Sequence, residues 1–291
     1  MLIDAEQKLT DARPNKIDFE RISKLHYLGN YVRPLPVNLA RMMENAYDWE
    51  HLPYVHSSSF SSIELIASGG WGWRAKIGLP DGSRADHQLI DLLVEKDKHY
   101  WVSTVYSGPG QGIEIHTQAS AISEGGIEVD VRFYLPEAPE SEADADMILN
   151  YMTQQYATLY DEDQELMSGR QEALKDRQRW EAASIQSGDV KVGPVNDLDP
   201  DEVHLVEMDD GRYCVRQWQD KWIVHSAVCP HLLGPLDQSS IDEDGAITCP
   251  WHGYRFDVIT GANAEKKCRS LTPPPQLLDV DGVLYLRPER R

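Results

Sequence analysis

The chain has 291 residues, an apolar fraction of 41% and a formal net charge of −20, enough length for two domains that each bury a core. That charge repels nucleic acid and anionic membranes, so neither is expected as a partner, whereas a basic protein would be steered towards it. The charged first thirty residues hold no apolar run of signal-peptide length, and nowhere do eighteen apolar residues follow one another, so the expected location is cytoplasmic.

Residues 17–34 carry only a broken apolar pattern. Val37, Ala40, Met43 and Tyr47 then recur at roughly helical spacing, which predicts a helix running to about His51 and stopping before Pro53. Six β-rich runs follow, FSSIELIAS, WGWRAKIG, ADHQLIDLLVE, HYWVSTVY, GIEIHTQASA and GIEVDVRFYL, separated by turn signals such as LPDGS and SGPGQ. They predict an antiparallel meander. Adjacent Tyr100 and Trp101 must point to opposite faces of their strand, and Trp71 and Trp73 are expected to share one. His87, His99 and His116 lie on or beside these strands with no ligand-like partner nearby in sequence, and are assigned structural roles.

The acidic stretch PEAPESEADAD leads into a helical pattern from about Asp144 to Ala182, and after AASIQSGD short strands alternate with frequent turns. The expected fold class is α+β. A START-like helix-grip arrangement, an antiparallel sheet closed by a long helix, occupies residues 1–185, and a small all-β domain occupies 189–291.

Within that second domain stand CPHLLGPL and CPWHGYRFD, with Cys229 and His231 in the first and Cys249 and His252 in the second. Two thiolates and two imidazoles are a possible zinc set, but a finger of that kind usually places both cysteines before both histidines. One of each per loop suits a [2Fe-2S] cluster with the cysteines on one iron and the histidines on the other. Cys214 and Cys268 are then left as thiols. The two loops, with the TG and PPP that follow, resemble the Rieske family, and the resemblance implies that Cys229, His231, Cys249 and His252 hold its cluster. Respiratory members carry an extra cysteine in each loop and a serine at the position of Tyr254. The departures here imply the lower-potential oxygenase or ferredoxin type.

In ENAYDWEHLPYVH, residues 44–56, Asp48 and His51 are three apart and share a helical face, while His56 lies about 140° around from His51. A break at Pro53 would be needed for both histidines to reach one ion. In the later helix Ile148, Met152, Leu159 and Met167 form an apolar stripe with Asp163 on it. A carboxylate on such a stripe calls for a cation or strong donors, whereas Asp161 and Glu162 lie off it and are expected in solvent. Two histidines and a carboxylate on one face of an octahedron hold non-haem Fe(II). Histidines that merely satisfy backbone groups at a bend would leave the same local sequence.

The spacing Glu44-Asn45-x-x-Asp48-x-x-His51-x-x-x-x-His56, with the helix around DEDQELMSGRQ, resembles the Rieske non-haem iron oxygenases of the O-demethylase and ring-hydroxylating kind. The resemblance implies a mononuclear Fe(II) bound by His51, His56 and Asp163, with Asp48 linking His51 to a cluster histidine and Asn45 beside the iron. It implies O2-dependent hydroxylation or oxidative demethylation of a small aromatic or hydrophobic substrate, electrons passing from the cluster to the iron. The implied partners are a ferredoxin or NAD(P)H-dependent reductase and the other subunits of a head-to-tail homotrimer. Family members usually place the Rieske domain first, and this chain reverses the order. The alternative is a hydrophobe-binding helix-grip protein whose Rieske domain is an electron carrier or redox sensor, with no mononuclear iron.

Overall fold

The computed structural model describes residues 4–83, 85–123, 125–183 and 188–288. The chain divides into two compact units, Met1–Ser168 and Gly169–Arg291, and the division falls within its longest helix.

The first unit opens with helix α1 (Asp4–Asp11) and strand β1 (His26–Leu35), followed by helices α2 (Leu39–Tyr47) and α3 (Leu52–Val55). Strands β2 (Ser62–Gly69), β3 (Gly72–Gly78), β4 (His87–Glu95), β5 (Tyr100–Ser107), β6 (Glu114–Ser123) and β7 (Gly126–Leu135) come next, and then α4 (Glu142–Ala182). The strands form one antiparallel sheet in the order β1-β7-β6-β5-β4-β3-β2. In β7 the period of two is clear: Ile127, Val129, Val131, Phe133 and Leu135 are buried, while Glu128 and Arg132 are exposed. Strand β1 is not among the six predicted runs. It lies at the sheet edge with Pro34 opposite Glu128, a position where a residue without an N–H is tolerated and where burial alternates weakly.

Two further expectations are corrected. Helix α2 ends at Tyr47 rather than His51, with Asp48 as its C-cap, and Pro53 lies in the first turn of α3 instead of ending a helix. The first turn leaves its N–H groups unbonded within the helix, so proline costs nothing there. Trp71 and Trp73 also lie on opposite faces. Trp73 packs with Ala75 and Ile77, while Trp71 packs against Ile17, Leu93 and Val102, under the Arg74 guanidinium. Gly72 between them has φ +118°, which breaks the alternation, and a Cβ there would sit 1.9 Å from the Leu92 carbonyl oxygen.

The N-terminal segment covers the outer face of the sheet. There the carboxylate of fully buried Asp91 is paired with Arg13 and with Arg74, whose Nε donates at 2.5 Å. His116 stands on the same side, its Nδ1 2.6 Å from the Tyr100 hydroxyl and its Nε2 3.1 Å from Glu114, which suits the structural role read for it. The inner face receives α4, where Met152, Tyr160, Asp163, Leu166 and Met167 are buried. Tyr156 of α4 meets Phe133 of β7 edge-on at 5.5 Å, and Arg33 of β1 donates to the Ala157 carbonyl at 3.1 Å. A sheet holding one long helix is the helix-grip arrangement.

The second unit adds β8 (Val190–Pro194), β9 (His204–Met208), β10 (Gly211–Trp218), β11 (Lys221–Ser226), β12 (Ala246–Thr248), β13 (Arg255–Asp257), β14 (Gln276–Val280) and β15 (Val283–Arg287). They form three small sheets among the described residues: β11-β10-β9 and β14-β15-β8 share a core of Val206, Met208, Tyr213, Val215, Leu284 and Leu286, and β12 pairs with β13. Among the described residues no helix is long and apolar enough to cross a membrane.

Gly72→Ala should cost on the order of 2–4 kcal/mol, because it adds both backbone strain and a clash with a carbonyl. Gly70→Ala meets nothing within 4 Å and should stay within about 0.5 kcal/mol of the wild type. Urea unfolding of the two variants followed by tryptophan fluorescence measures the difference.

Candidate metal centres

The first centre is assembled from three elements. Helix α2 brings Asn45 inward and is capped by Asp48, whose N–H donates to the Glu44 and Asn45 carbonyls. A short turn leads to His51, the N-cap of α3, and His56 is its C-cap. The break expected at Pro53 is absent. The histidines flank one helical turn: His51 keeps a right-handed helical backbone at φ −71° and ψ −23°, His56 leaves it at φ −104° and ψ 43°, and both rings reach Asp163 of α4. Their centroids are 5.1 Å apart.

On α4 the buried Asp163 receives them. Its Oδ1 lies 3.4 Å from His51 Nε2 and 3.1 Å from His56 Nε2, and all three residues are buried. One ligand atom from each lies within 4.8 Å of the others. Neighbouring donors around an octahedral ion, each about 2.1 Å from it, are about 3.0 Å apart, so the spacing to Asp163 is close to what such an ion requires. Burial would lower the His51 pKa, but Asp163 and Asp48 outweigh it and push it up to about 10. Burial likewise works to raise Asp163, yet the two histidines hold its carboxyl well below the usual range. Positive charge is therefore favoured in this pocket, and a divalent cation would supply it through two imidazoles and a carboxylate.

Around this end of the inner face lies a cavity of about 130 Å³, with Asn45, Asp48, His51, His56 and Asp163 at its polar side and Phe60, Trp73, Trp101, Ile115 and Leu159 among its apolar walls. Trp101 faces inward and Tyr100 outward, as adjacent strand positions must. The Asn45 Oδ1 is buried without a hydrogen bond. Asp48 approaches His51, with Oδ2 3.5 Å from Nδ1, longer than a formed hydrogen bond. Two participants escaped the sequence reading. Tyr156 lines the cavity, and burial lifts its phenol above the ordinary range. Glu162, expected in solvent, instead places Oε2 2.6 Å from His56 Nδ1. Its only sequence signal was adjacency to Asp163.

The second centre lies in the second unit. Its two loops are built alike: Cys229 N–H donates to the Gly234 carbonyl and Leu233 N–H to the Cys229 carbonyl, at 2.9 and 3.1 Å, and Cys249 with Tyr254 and Gly253 repeats the pair at 2.9 Å each. The residue closing each loop has positive φ, 64° at Leu233 and 67° at Gly253. These turns bring His231 and His252 edge to face at 4.6 Å. Cys229, Cys249 and His252 are buried, and the Nδ1 atoms of both histidines are buried without a hydrogen bond. A hydrogen bond between the two thiols raises Cys229 and lowers Cys249, so the pair holds one proton firmly and releases the other easily. Gly234 leaves space beside them, since a Cβ there would lie 2.7 Å from Cys249 Sγ. Two sulfurs, two inward ring nitrogens and a hollow kept open by glycine fit a cluster of the kind expected.

Residues 188–275 match the family model described as Rieske [2Fe-2S] domain. The chain carries a Rieske [2Fe-2S] domain. It is similar to pheophorbide a oxygenase of Oryza sativa subsp. japonica, 34% identical over 70 residues that cover 23% of this chain and 13% of that protein. The chain thus matches a small part of that relative, over the Rieske domain. It is also similar to ferredoxin CarAc of Metapseudomonas resinovorans, 27% identical over 106 residues, covering 35% of this chain and 95% of the ferredoxin. Among solved structures, norcoclaurine synthase from Thalictrum flavum matches with a TM-score of 0.39 and 13% identity, over 52% of this chain and 91% of the synthase.

Gly234→Ala should prevent the Rieske domain from holding its cluster, while Cys268→Ala should retain it. Iron and acid-labile sulfide measured on both variants test this.

Proposed function

We propose that the protein is a Rieske-type non-haem iron oxygenase, hydroxylating or oxidatively demethylating a small hydrophobic substrate. The observation that carries this reading is the convergence of His51, His56 and Asp163 at the polar side of a cavity, in a chain that also has a Rieske domain. When bound, the cluster would supply electrons and a mononuclear ferrous ion the means to activate O2.

The chain's own contribution is position and shelter. His51, His56 and Asp163 would hold the ion. Phe60, Trp73 and Trp101 would exclude water from one side of the cavity, and Asn45 Oδ1 would offer an acceptor beside the site. A volume of about 130 Å³ is comparable to a cavity that takes up benzene, which favours a substrate of about one aromatic ring. Asp48 is assigned the link between His51 and the cluster. The electron donor would be a ferredoxin or an NAD(P)H-dependent reductase, the assembly a homotrimer and the location cytoplasmic.

A second reading, a hydrophobe-binding protein with an electron-carrier domain, is favoured by the match to 95% of a free-standing ferredoxin. Metal content separates the two. After anaerobic loading with Fe(II) and desalting, the oxygenase should hold about three irons and two sulfides per chain, falling to about two and two in the His51→Ala, His56→Ala double variant. About two and two in both proteins would sink the oxygenase reading. Asp48→Ala should keep both metals yet lose turnover, scored as substrate-dependent O2 consumption, and full activity would remove its assigned role.

A further inference from the structure

The two imidazoles of the first centre are not held in the same way. Each presents Nε2 to Asp163 Oδ1, at 3.4 Å for His51 and 3.1 Å for His56. Behind His51 the carboxylate of Asp48 stands off at 3.5 Å, whereas behind His56 the carboxylate of Glu162 closes to 2.6 Å. Nitrogen to oxygen hydrogen bonds run at about 2.7–3.2 Å, and charge-assisted ones are the shorter, so the second contact is a formed bond and the first is not.

Glu162 and Asp163 are consecutive on α4, about 100° apart around its axis. Asp163 enters the cavity, while Glu162 leaves beside it with its side chain 30% exposed and turns onto the far nitrogen of the same ring. One helix turn therefore grips both nitrogens of His56. A neutral imidazole has one donor and one acceptor. Once an ion replaces the proton between His56 and Asp163 the imidazole is neutral, and with Nδ1–H given to Glu162 its lone pair is on Nε2, the atom on the Asp163 side. Glutamate is also the right length, because an aspartate at this position would withdraw the oxygen by one methylene.

We infer that Glu162 is a positioning residue of the metal site, holding His56 by its Nδ1–H so that Nε2 is presented to the ion. This rests on the proposed iron site. A carboxylate behind a ligating histidine fixes its tautomer and orientation, and removing such partners typically weakens metal binding about 10- to 100-fold. A bond that only fastened α3 to α4 would change the melting temperature and leave metal affinity alone.

The experiment is equilibrium dialysis of the full, cluster-loaded chain against Co(II), with the Co(II) EPR spectrum recorded at low temperature. Glu162→Ala should weaken binding about 10- to 100-fold and alter the g-values. Glu162→Gln, whose amide oxygen accepts the same Nδ1–H, should come within about threefold of the wild type. Glu162→Asp keeps the charge without the reach and should behave like the alanine variant, which serves if the alanine variant does not fold. Asp161→Ala, at an exposed carboxylate paired with Arg33, is the neighbouring control and should bind as the wild type does. Wild-type affinity and spectrum in Glu162→Ala and Glu162→Asp would overturn the assignment. If wild type and Asp163→Ala bind equally, the iron site itself has failed and the role of Glu162 falls with it.

Discussion

The first unit turns on one buried carboxylate. Asp163 sits on the apolar stripe of α4, where an ionised group without compensation would cost about 3–5 kcal/mol. The compensation comes from His51 and His56, whose Nε2 atoms lie 3.4 and 3.1 Å from its Oδ1. Those contacts bring the α3 turn against the inner side of α4, and the side chains that neutralise Asp163 thereby become the polar side of the cavity. Polar satisfaction and the candidate chemistry are one arrangement, so a change at Asp163 disturbs both.

The sheet separates two environments of different character. Inward, Trp73, Ile77, Ile90, Leu92 and Trp101 wall the cavity. Outward, Asp91, Arg13 and Arg74 form a buried ionic group beneath the N-terminal segment, with the Thr10 and Tyr106 hydroxyls in contact at 3.1 Å. Gly72 marks the change of side at the start of β3, since its left-handed φ lets Trp71 cover the ionic side while Trp73 faces the cavity. Two guanidiniums already reach the outer group's one carboxylate, Asp91, whereas at the inner site positive charge is still favoured.

In the Rieske domain the architecture is made by short-range bonds. Each cluster loop is closed by the same pair of backbone hydrogen bonds over four and five residues, and each ends in a left-handed residue. The candidate ligands are thus presented by turns whose geometry is nearly complete within CPHLLG and CPWHGY. That is why a Rieske domain could be recognised from two short motifs, once their resemblance to the family was added to the ligand types and spacing.

The division between local and distant contacts accounts for what could be read from the residues. Period-two burial in β7, the apolar stripe that marked Asp163, the α+β order of elements and the Cys–His loops all depend on contacts within one turn or strand, and periodicity reports those directly. Strand β1 was not legible, because it is recognised by pairing with β7 about a hundred residues away, with no strong alternation of its own. His51 and His56 could be named from their spacing, but the helical turn between them argued against a shared ion. Only the packing of α3 on α4, which sets His56 against a carboxylate 107 positions distant, turns both rings the same way. Glu162 is the sharpest case. Helical periodicity put it in solvent, and only the tertiary structure places an imidazole where its side chain can reach, because a hydrogen bond between separate elements is set by their packing and leaves no period in the sequence of either.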